Sequence, residues 1–354
     1  MRVAFVHRAT GTGPVRNWPI KCWYVAATSD EVAESPVGRR LLGEDVVLWR
    51  GADGRLAAFE NRCAHRAFPL SHGTVHGGRL VCGYHGCTYD LDGNCIGIPS
   101  QNHVPTGMRL RLFPVHETPP FVWVWLGPPR SAAGSVPPTL PWVAEPDWES
   151  FTSTWIVDAN YLMVHEHYLD FSYAPIVHAG DIPHGIRIMP PFSDVEITET
   201  TVSYTRVLPN ATLTDWEAEA IGLEPSHPYG RREMGTFTSP ALHLQRWDVV
   251  DASGKTFSTT RIHGITPADV TSTNVFMISS RNYRLGDTST TDRLRRFLEG
   301  VAGRDNSILE MASSHSGYDR WQAGVEFQAD AAVMRARGIV ATMMANERGL
   351  LIRR

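Results

Sequence analysis

The stretch CAHRAFPLSHGTVHGGRLVCGYHGCTYDLDGNC, residues 63–95, decides the fold of the N-terminal part of the chain. It contains a C-x-H pair, sixteen intervening residues and a C-x-x-H pair, formed by Cys63, His65, Cys82 and His85. Two thiolates and two imidazoles in paired loops suit a tetrahedral structural zinc ion. They also suit a [2Fe-2S] centre in which two histidines replace two cysteines on one iron. The spacing by itself distinguishes these two metals only loosely.

The residues around the two pairs favour the iron–sulfur alternative, because they resemble the Rieske loops of the Rieske-type non-haem iron oxygenases. The chain keeps this family's C-x-H-R, P-L-S, G-G, Y-H-G and Y-D-x-x-G segments between Cys63 and Gly93. It departs from the pattern at Gly83, where proline is usual, and at Cys87, where tryptophan or another large residue is common. Neither departure falls on a ligand position. The resemblance implies one [2Fe-2S] cluster per chain, bound by the four Cys and His residues of the two pairs.

A second group of metal-capable side chains lies in HEHYLDFSYAPIVH, residues 165–178. The resembled family carries N-x-x-D-x-x-H-x-x-x-x-H on the first long helix of its catalytic domain. There the two histidines and a later carboxylate hold a mononuclear iron(II) ion. In this chain Asp170 and His178 occupy the Asp position and the second-His position. Tyr173 occupies the first-His position, and His167 occupies the Asn position.

Three alternatives follow for the residue that takes the place of the family's first histidine ligand. In the first alternative this residue is His167, although in a regular helix it lies about 9 Å from position 173 along the axis and about 120° around it. Tyr173 is the ligand as a phenolate, although its hydroxyl has an ordinary pKa near 10 and a phenolate favours iron(III). In the third alternative neither residue binds, and the mononuclear site is weak or empty.

Three more residues complete the predicted site. Asp305 in GRDNSILEMA resembles the family's late carboxylate ligand, with Glu310 as second choice, and its alternative role is the N-cap of a helix. The resemblance implies that Asp170 bridges the cluster of one subunit and the iron of the next through hydrogen bonds to their histidines. His263 in RIHGITP is expected to point into the substrate cavity, with a satisfied core histidine as the alternative.

The character of the sequence changes along the chain, which predicts its domains. We predict an N-terminal extension at 1–17, a Rieske [2Fe-2S] antiparallel β domain at 18–128, a Pro-rich linker at 129–141 and a catalytic domain at 142–354. In the last domain, WIVDANYLMVHEHYLDFSYA predicts a helix that ends before Pro175. Four strand-like segments and two helical stretches follow it. The fold class is therefore α+β, and the resemblance implies a helix-grip (START-like) catalytic domain.

Composition excludes some classes of partner. The formal net charge is -4 and no long run of like charges occurs, which gives no electrostatic reason to expect nucleic acid or an anionic membrane. The N-terminal apolar run is interrupted by His7 and Arg8, so we expect no signal peptide and a cytoplasmic protein. In that compartment the cysteines outside the two pairs are expected to be thiols.

The resemblance implies the oxygenase component of a Rieske monooxygenase of the vanillate O-demethylase-like, single-subunit class. Such a protein receives NAD(P)H electrons through a separate flavin and ferredoxin-type reductase and uses O2 to hydroxylate or oxidatively demethylate a small aromatic substrate. Electron transfer between subunits implies a ring, most simply a homotrimer. The alternative is a Rieske protein whose altered mononuclear site has lost oxygenase chemistry and which serves in electron transfer or ligand binding.

Overall fold

The structure is a computed structural model that describes residues 16–183, 186–238, 240–316 and 325–349. These residues form three small sheets in the N-terminal part of the chain and one seven-stranded sheet in the C-terminal part, with helices that belong to the second part. The α+β fold class is thereby confirmed. Of the predicted N-terminal extension, only Arg16 and Asn17 lie within the described residues.

The N-terminal part consists of short antiparallel strands. They are β1 (Trp23–Thr28), β2 (Val37–Leu41), β3 (Glu44–Arg50), β4 (Leu56–Glu60), β5 (Thr74–His76), β6 (Arg79–Val81), β7 (Thr88–Tyr89), β8 (Cys95–Gly97), β9 (Leu112–Phe113), β10 (Val115–Thr118) and β11 (Phe121–Trp125). Their sheets have the orders β1-β11-β10, β2-β3-β4-β9 and β5-β6-β7-β8. The apolar runs WYVAAT and FVWVW are buried along their whole length, as expected for strands covered on both faces.

The C-terminal part is organised around one antiparallel sheet. Its strands are β12 (Glu149–Val157), β13 (Asp194–Ile197), β14 (Thr201–Ala211), β15 (Tyr229–Thr238), β16 (Leu242–Val250), β17 (Thr256–Pro267) and β18 (Thr273–Arg281). Their order in the sheet is β12-β18-β17-β16-β15-β14-β13. The sequence predicted one strand-like segment where β13 and β14 lie, and it predicted β16, β17 and β18. It predicted neither β12 nor β15, and in β15 the charged residues hid the alternation.

The helices pack mostly on the seven-stranded sheet. They are α1 (Tyr161–Leu169), α2 (Ala174–Val177), α3 (Asp215–Ile221), α4 (Thr288–Ser316) and α5 (Ala331–Glu347), with short 3-10 turns at Leu70–His72, Pro129–Ala132 and Gln328–Asp330. The two late helices were predicted, and α3 was not. No helix in the described part of the chain is long and apolar enough to cross a lipid bilayer.

The two parts of the molecule are joined by direct contact between β1 and β17. The Thr266 hydroxyl donates a hydrogen bond to the carbonyl of Val25 at 2.7 Å. A Cβ on Gly264 would lie 2.6 Å from a methyl carbon of Val25, so only glycine allows these strands to approach so closely. This contact joins the sheet that contains β1 to the central part of the large sheet.

The sequence predicted wrong bounds for the first helix of the catalytic domain. Residues 155–157 belong to β12, and α1 begins only after Asn160, whose side-chain oxygen accepts a hydrogen bond from Leu162 N at 3.0 Å. The helix already ends at Leu169, and a separate short helix places Pro175 in its first turn. Proline is tolerated there because the first N–H groups of a helix have no partner within the helix.

The alternative N-cap role of Asp305 is also wrong. Helix α4 begins at Thr288, and Asp305 lies well inside it. The carboxylate at the start of this helix is that of Asp287, which accepts hydrogen bonds from Ser289 N at 3.0 Å and Thr290 N at 3.3 Å. A carboxylate in the interior of a helix and 5% exposed needs a different partner, which the site supplies.

Candidate functional site

The two Cys/His pairs lie in two loops of the same construction. In each loop the cysteine N–H donates to a carbonyl five residues later, and the cysteine carbonyl accepts from an N–H four residues later. Each loop also contains a residue with positive φ, 54° at Ala67 and 71° at Gly86. The hydrogen bonds are Cys63 N to Phe68 O, Ala67 N to Cys63 O, Cys82 N to Cys87 O and Gly86 N to Cys82 O. The similarity of the loops brings the four side chains together.

Thiols and imidazoles occupy different depths in these loops. Cys63 and Cys82 are only 2% and 3% exposed, whereas His65 and His85 are exposed and their ring centroids lie 4.6 Å apart. This asymmetric donor set, with two sulfurs inside and two nitrogens outside, fits a [2Fe-2S] cluster with a different ligand pair on each iron. It fits a compact tetrahedral zinc ion less well, because the pairs differ so much in depth.

Tyr89 supports the buried side of the first loop. Its hydroxyl lies 3.2 Å from Cys63 Sγ and accepts a hydrogen bond from Ala64 N at 3.1 Å. Burial alone would raise the pKa of Cys63, but the hydrogen bonds from Tyr89 and from backbone N–H groups bring that pKa below its ordinary value. The thiolate is the form of cysteine that binds metals, so the loop favours the reactive state.

The two departures from the family pattern have physical reasons. A Cβ at Gly83 would lie 2.7 Å from the carbonyl oxygen of His72 and 3.3 Å from a ring carbon of Phe68. The close approach of the two loops therefore requires glycine at this position. Cys87 is buried, and burial raises the pKa of its thiol to about 12, so it stays protonated. Neither residue disturbs the four metal-capable side chains.

A second cluster forms where α1, α2 and α4 meet. His178 Nε2 lies 2.6 Å from Asp305 Oδ1, and His167 Nε2 lies 3.2 Å from the same oxygen. His167 Nε2 is buried and makes no hydrogen bond, because the angle of its short contact with Asp305 is unsuitable for one. Burial alone would raise the pKa of Asp305, but the two imidazoles lower it to about 2. Two histidines and an ionised carboxylate therefore converge.

This donor set fits a mononuclear iron ion of the two-histidine, one-carboxylate type. An imidazole nitrogen that is buried without a hydrogen bond is costly unless a further partner satisfies it. The donors contact one another directly, and nowhere in the described part of the chain do three or more His, Cys, Asp or Glu residues already surround a common point at metal-binding spacing. An ion would therefore have to separate these side chains slightly.

The break between α1 and α2 explains how His167 reaches this position. Asp170 ends α1 with extended φ and ψ of -113° and 109°, and the chain turns before α2 begins. The rings of His167 and Tyr173 consequently stack with centroids 4.2 Å apart and planes inclined by 25°. The expected separation of about 9 Å assumed an unbroken helix and is wrong. The His167 and His178 side chains now approach the same carboxylate.

Tyr173 has a different place in this cluster. Its ring centroid lies 5.8 Å from that of His178. Burial, and secondarily the charge of Asp305, raises the pKa of Tyr173 well above the ordinary value, so the phenol stays neutral. The ring of Tyr173 stacks on the imidazole of His167 and helps to hold it in position. The geometry thus fits His167 better than Tyr173 as the third donor.

Other predicted residues lie away from this convergence. The Asp170 carboxylate accepts hydrogen bonds from Ser172 N at 2.8 Å and from its hydroxyl at 2.9 Å. Glu310 accepts a hydrogen bond from Asp158 N at 3.3 Å. His165, the other histidine of α1, is fixed by a 2.9 Å contact with the Pro240 carbonyl, and burial lowers its pKa to about 3.

A cavity of about 110 Å³ opens beside the second cluster. Both His178 and Asp305 line it. Its apolar wall comes mainly from large side chains of α1, the turn after it, α3, α4 and the sheet, namely Tyr168, Phe171, Trp216, Trp247, Phe257 and Phe297. A mainly apolar recess that also carries polar groups is a usual form of a small-molecule site.

His263 does not line this cavity in the described part of the chain. It shares a face of β17 with Arg261, because residues two apart point to the same side of a strand. The ring of Tyr168 covers it, with centroids 4.1 Å apart and planes inclined by 20°. The side chain of Tyr168 therefore separates His263 from the space that a substrate would occupy.

The sequence reasoning missed the charged residues of the cavity. Arg231 forms a 2.7 Å ion pair with Glu217, and Arg261 also lines the space. Arg261 could have been found, because it lies two positions before His263 in a predicted strand with few charges. Residues two apart share one face of a strand. The ion pair had no local signal, because Glu217 and Arg231 lie on elements that the sequence did not predict.

Comparison with known families and proteins agrees with these sites. Residues 22–108 match the Rieske [2Fe-2S] domain, and residues 157–346 match the vanillate O-demethylase oxygenase C-terminal domain. The chain is 28% identical to a vanillate O-demethylase oxygenase subunit of Pseudomonas sp. (strain HR199 / DSM 7063), covering 93% of this chain and 96% of that protein. It is 27% identical to the dicamba O-demethylase oxygenase component of Stenotrophomonas maltophilia, covering 84% and 88%.

The fold has solved counterparts as well. The crystal structure of dicamba monooxygenase bound to 3,6-dichlorosalicylic acid matches with a TM-score of 0.85 and 24% identity, over 93% of this chain and 98% of that chain. The predicted resemblance is confirmed at both ends of the chain, and the match to the C-terminal family covers more than half of the 354 residues. The chain therefore belongs to the Rieske non-haem iron oxygenases of the vanillate O-demethylase type.

Proposed function

We propose that this oxygenase hydroxylates or oxidatively demethylates a small aromatic substrate with O2. The observation that carries the proposal is the convergence of His167, His178 and Asp305 beside a cavity with aromatic walls. The names of the relatives support an aromatic substrate, since they include vanillate O-demethylase, dicamba O-demethylase and toluene-4-sulfonate monooxygenase.

The ligand assignments are part of the proposal. Cys63, His65, Cys82 and His85 would hold the [2Fe-2S] cluster, which fits their paired loops and their different depths. His167, His178 and Asp305 would hold the mononuclear iron. Iron(II) held by two histidines and one carboxylate on one face supplies open positions for dioxygen.

The residues around the iron donors have positioning roles in this proposal. Tyr173 stacks on His167 and limits its rotation. Arg304 Nε lies 3.4 Å from His178 Nδ1, and Asp181 Oδ2 also lies 3.4 Å from that nitrogen. Asp181 in turn forms an ion pair with Arg304. Arg304 and Asp181 therefore border the Nδ1 side of the His178 ring and limit its rotation.

The supply of electrons is also part of the proposal. We propose that NAD(P)H electrons arrive through a separate flavin and ferredoxin-type reductase and that the protein acts as a cytoplasmic homotrimer. Asp170 would join the cluster of one subunit to the iron site of the next. Its two hydrogen bonds to Ser172 leave acceptor capacity, because an ionised carboxylate offers about four lone-pair sites.

The rival function is that of a Rieske protein with a disabled mononuclear site. One observation favours it, namely Tyr173 at the first-His position of the family motif. On this alternative His167 and Asp305 form only an ion-pair contact, and the chain transfers electrons or binds a ligand without activating oxygen.

The ratio of iron to acid-labile sulfide separates the two functions. It is measured on anaerobically purified protein supplied with iron(II). The proposal expects about three irons to two sulfides in the wild type and about two to two in His167→Ala. Tyr173→Phe is the matched control, because it keeps the stacked ring but removes the hydroxyl, and it should keep the third iron.

The opposite result would support the rival. A wild type with about two irons to two sulfides, rising to about three in Tyr173→His, would mean that the tyrosine disables the site. Loss of the third iron in Tyr173→Phe with retention in His167→Ala would instead identify the phenol as the ligand.

A further inference from the structure

The ring of Tyr173 contacts both imidazoles of the second cluster. It stacks on His167 with centroids 4.2 Å apart, and it meets the ring of His178 at 5.8 Å with planes inclined by 64°. Of these two imidazoles, the ring of Tyr168 approaches His167, at 5.6 Å. Because both imidazoles converge on the carboxylate of Asp305, the Tyr173 ring borders the place where an ion held by this cluster would lie.

Tyr173 also borders open space on two sides. It lines the cavity of about 110 Å³ together with His178 and Asp305. It lines a second recess, of about 240 Å³, together with His167 and Asp170. A small oxidant that enters either space and reaches these side chains therefore also reaches the phenol ring.

A phenol ring in this position is an oxidisable group. Its hydroxyl oxygen donates electron density to the ring, so the ring carbons next to the hydroxyl react readily with electrophilic oxygen. A site that hydroxylates an aromatic substrate generates such an oxidant, and in an empty cavity the chain itself presents the nearest aromatic ring. A reactant held beside the reacting groups reacts far faster than the same reactant free in solution.

We propose that Tyr173 is a site of self-hydroxylation, converted to 3,4-dihydroxyphenylalanine when the cavity holds no substrate. The proposal rests on the proposed function, because it requires the mononuclear iron. With hydrogen peroxide as oxidant, one oxygen atom enters a ring C–H bond next to the hydroxyl, and the other oxygen leaves as water. With O2 as oxidant, the reductase supplies two electrons and the solvent two protons, and the second oxygen atom again leaves as water.

This reaction competes with the reaction of the substrate. A substrate fills the cavity that Tyr173 lines and receives the oxidant in its place, so the modification accumulates during turnover without substrate. The product carries two adjacent hydroxyl groups beside His167 and His178. Such a catechol chelates iron(III), and a modified chain would therefore hold its iron in the oxidised form.

Peptide mapping by mass spectrometry tests the proposal. Iron-loaded, anaerobically purified wild type is treated with isotopically labelled hydrogen peroxide in the absence of aromatic compounds, after its iron-to-sulfide ratio has been measured. Tyr173 should gain one labelled oxygen atom at least about tenfold more often than Tyr204. Tyr204 is the internal reference, because it is buried, donates a hydrogen bond to the Tyr168 carbonyl at 3.2 Å and lines neither space in the described part of the chain.

Three further samples show whether the second cluster directs the oxygen. Asp305→Asn should lose the third iron and with it the label at Tyr173, whereas Glu310→Gln on the same helix should keep both. Wild type with zinc in place of the mononuclear iron keeps every side chain but has no redox chemistry at this site, so it should also lose the label. The zinc sample decides the question if Asp305→Asn fails to fold, and it controls for iron released from the [2Fe-2S] cluster.

Three results would overturn the proposal. They are no label at Tyr173 although the third iron is present, labelling of Tyr204 or Tyr168 that equals or exceeds that of Tyr173, and unchanged labelling in the zinc sample. Each of these leaves the proposed function intact, because the iron-to-sulfide ratio decides that function separately. A wild type without the third iron would overturn both.

Discussion

The two candidate metal regions of the molecule are assembled in opposite ways. The Cys/His pairs come from two loops that are close in sequence, and each loop is closed by its own backbone hydrogen bonds. The second cluster combines His167 and His178 with Asp305, which lies 127 residues after His178 in the chain. A local motif therefore defines the first region, whereas packing of separate helices defines the second.

The regions also differ in how they tolerate departures from the family pattern. Gly83 and Cys87 depart from the Rieske pattern, but both are accommodated beside the four metal-capable side chains. Tyr173 departs at a ligand position of the family motif, and in the proposed site the compensation would come from His167, which contacts Asp305. On this proposal, a substitution at a ligand position of the second region needs a replacement ligand from another position in the same region.

The largest effect is expected from Cys82→Ser. Serine cannot replace a thiolate on the cluster, so labile sulfide and the visible absorption of the cluster should fall by more than about tenfold. Cys22→Ser is the matched control, since Cys22 is buried just before β1 and belongs to neither loop. Labile-sulfide and absorption measurements check both variants. Full sulfide content in Cys82→Ser would remove this residue from the cluster.

A large effect restricted to the second region is expected from Asp305→Asn. The amide removes the negative charge that joins the two imidazoles, so iron should fall from about three to two per chain while two sulfides remain. Substrate-dependent oxygen uptake should fall by more than about 100-fold. Glu310→Gln on the same helix is the control and should preserve the iron. Retention of the third iron in Asp305→Asn would show that the carboxylate of Asp305 is not a ligand that the iron requires.

A smaller effect is expected from Asp170→Asn, which tests the connection between the regions. Iron and sulfide should be unchanged, while oxidation of the reduced cluster by O2 and substrate slows by about 10- to 100-fold. Rapid-mixing absorption spectroscopy measures this rate. Ser172→Ala removes only one hydrogen bond to the carboxylate and should slow the reaction less than about threefold. Equal slowing in both variants would indicate that Asp170 only stabilises the turn.

Several features could be predicted because the sequence signal was local. The strand runs WYVAAT and FVWVW were found from apolar composition, and the late helices from their periodicity. Strand β15 and helix α3 were not found, because their charged residues are buried through pairs such as Arg231 with Glu217. A pairing between distant elements makes a charged residue compatible with burial and leaves no local pattern.

The sequence by itself identified the two Cys/His loops and the family resemblance. It also assigned His167, Tyr173, His178 and Asp305 to one candidate site. Spacing within a loop fixes which side chains meet, because a short closed loop has few conformations. Only the tertiary structure decided that α1 ends at Leu169 and that His167 stacks on Tyr173 and contacts Asp305. It alone also placed Arg261 in the wall of the cavity, over the ring of Trp247. These relations depend on where separate helices and strands pack, which no periodicity within one segment specifies.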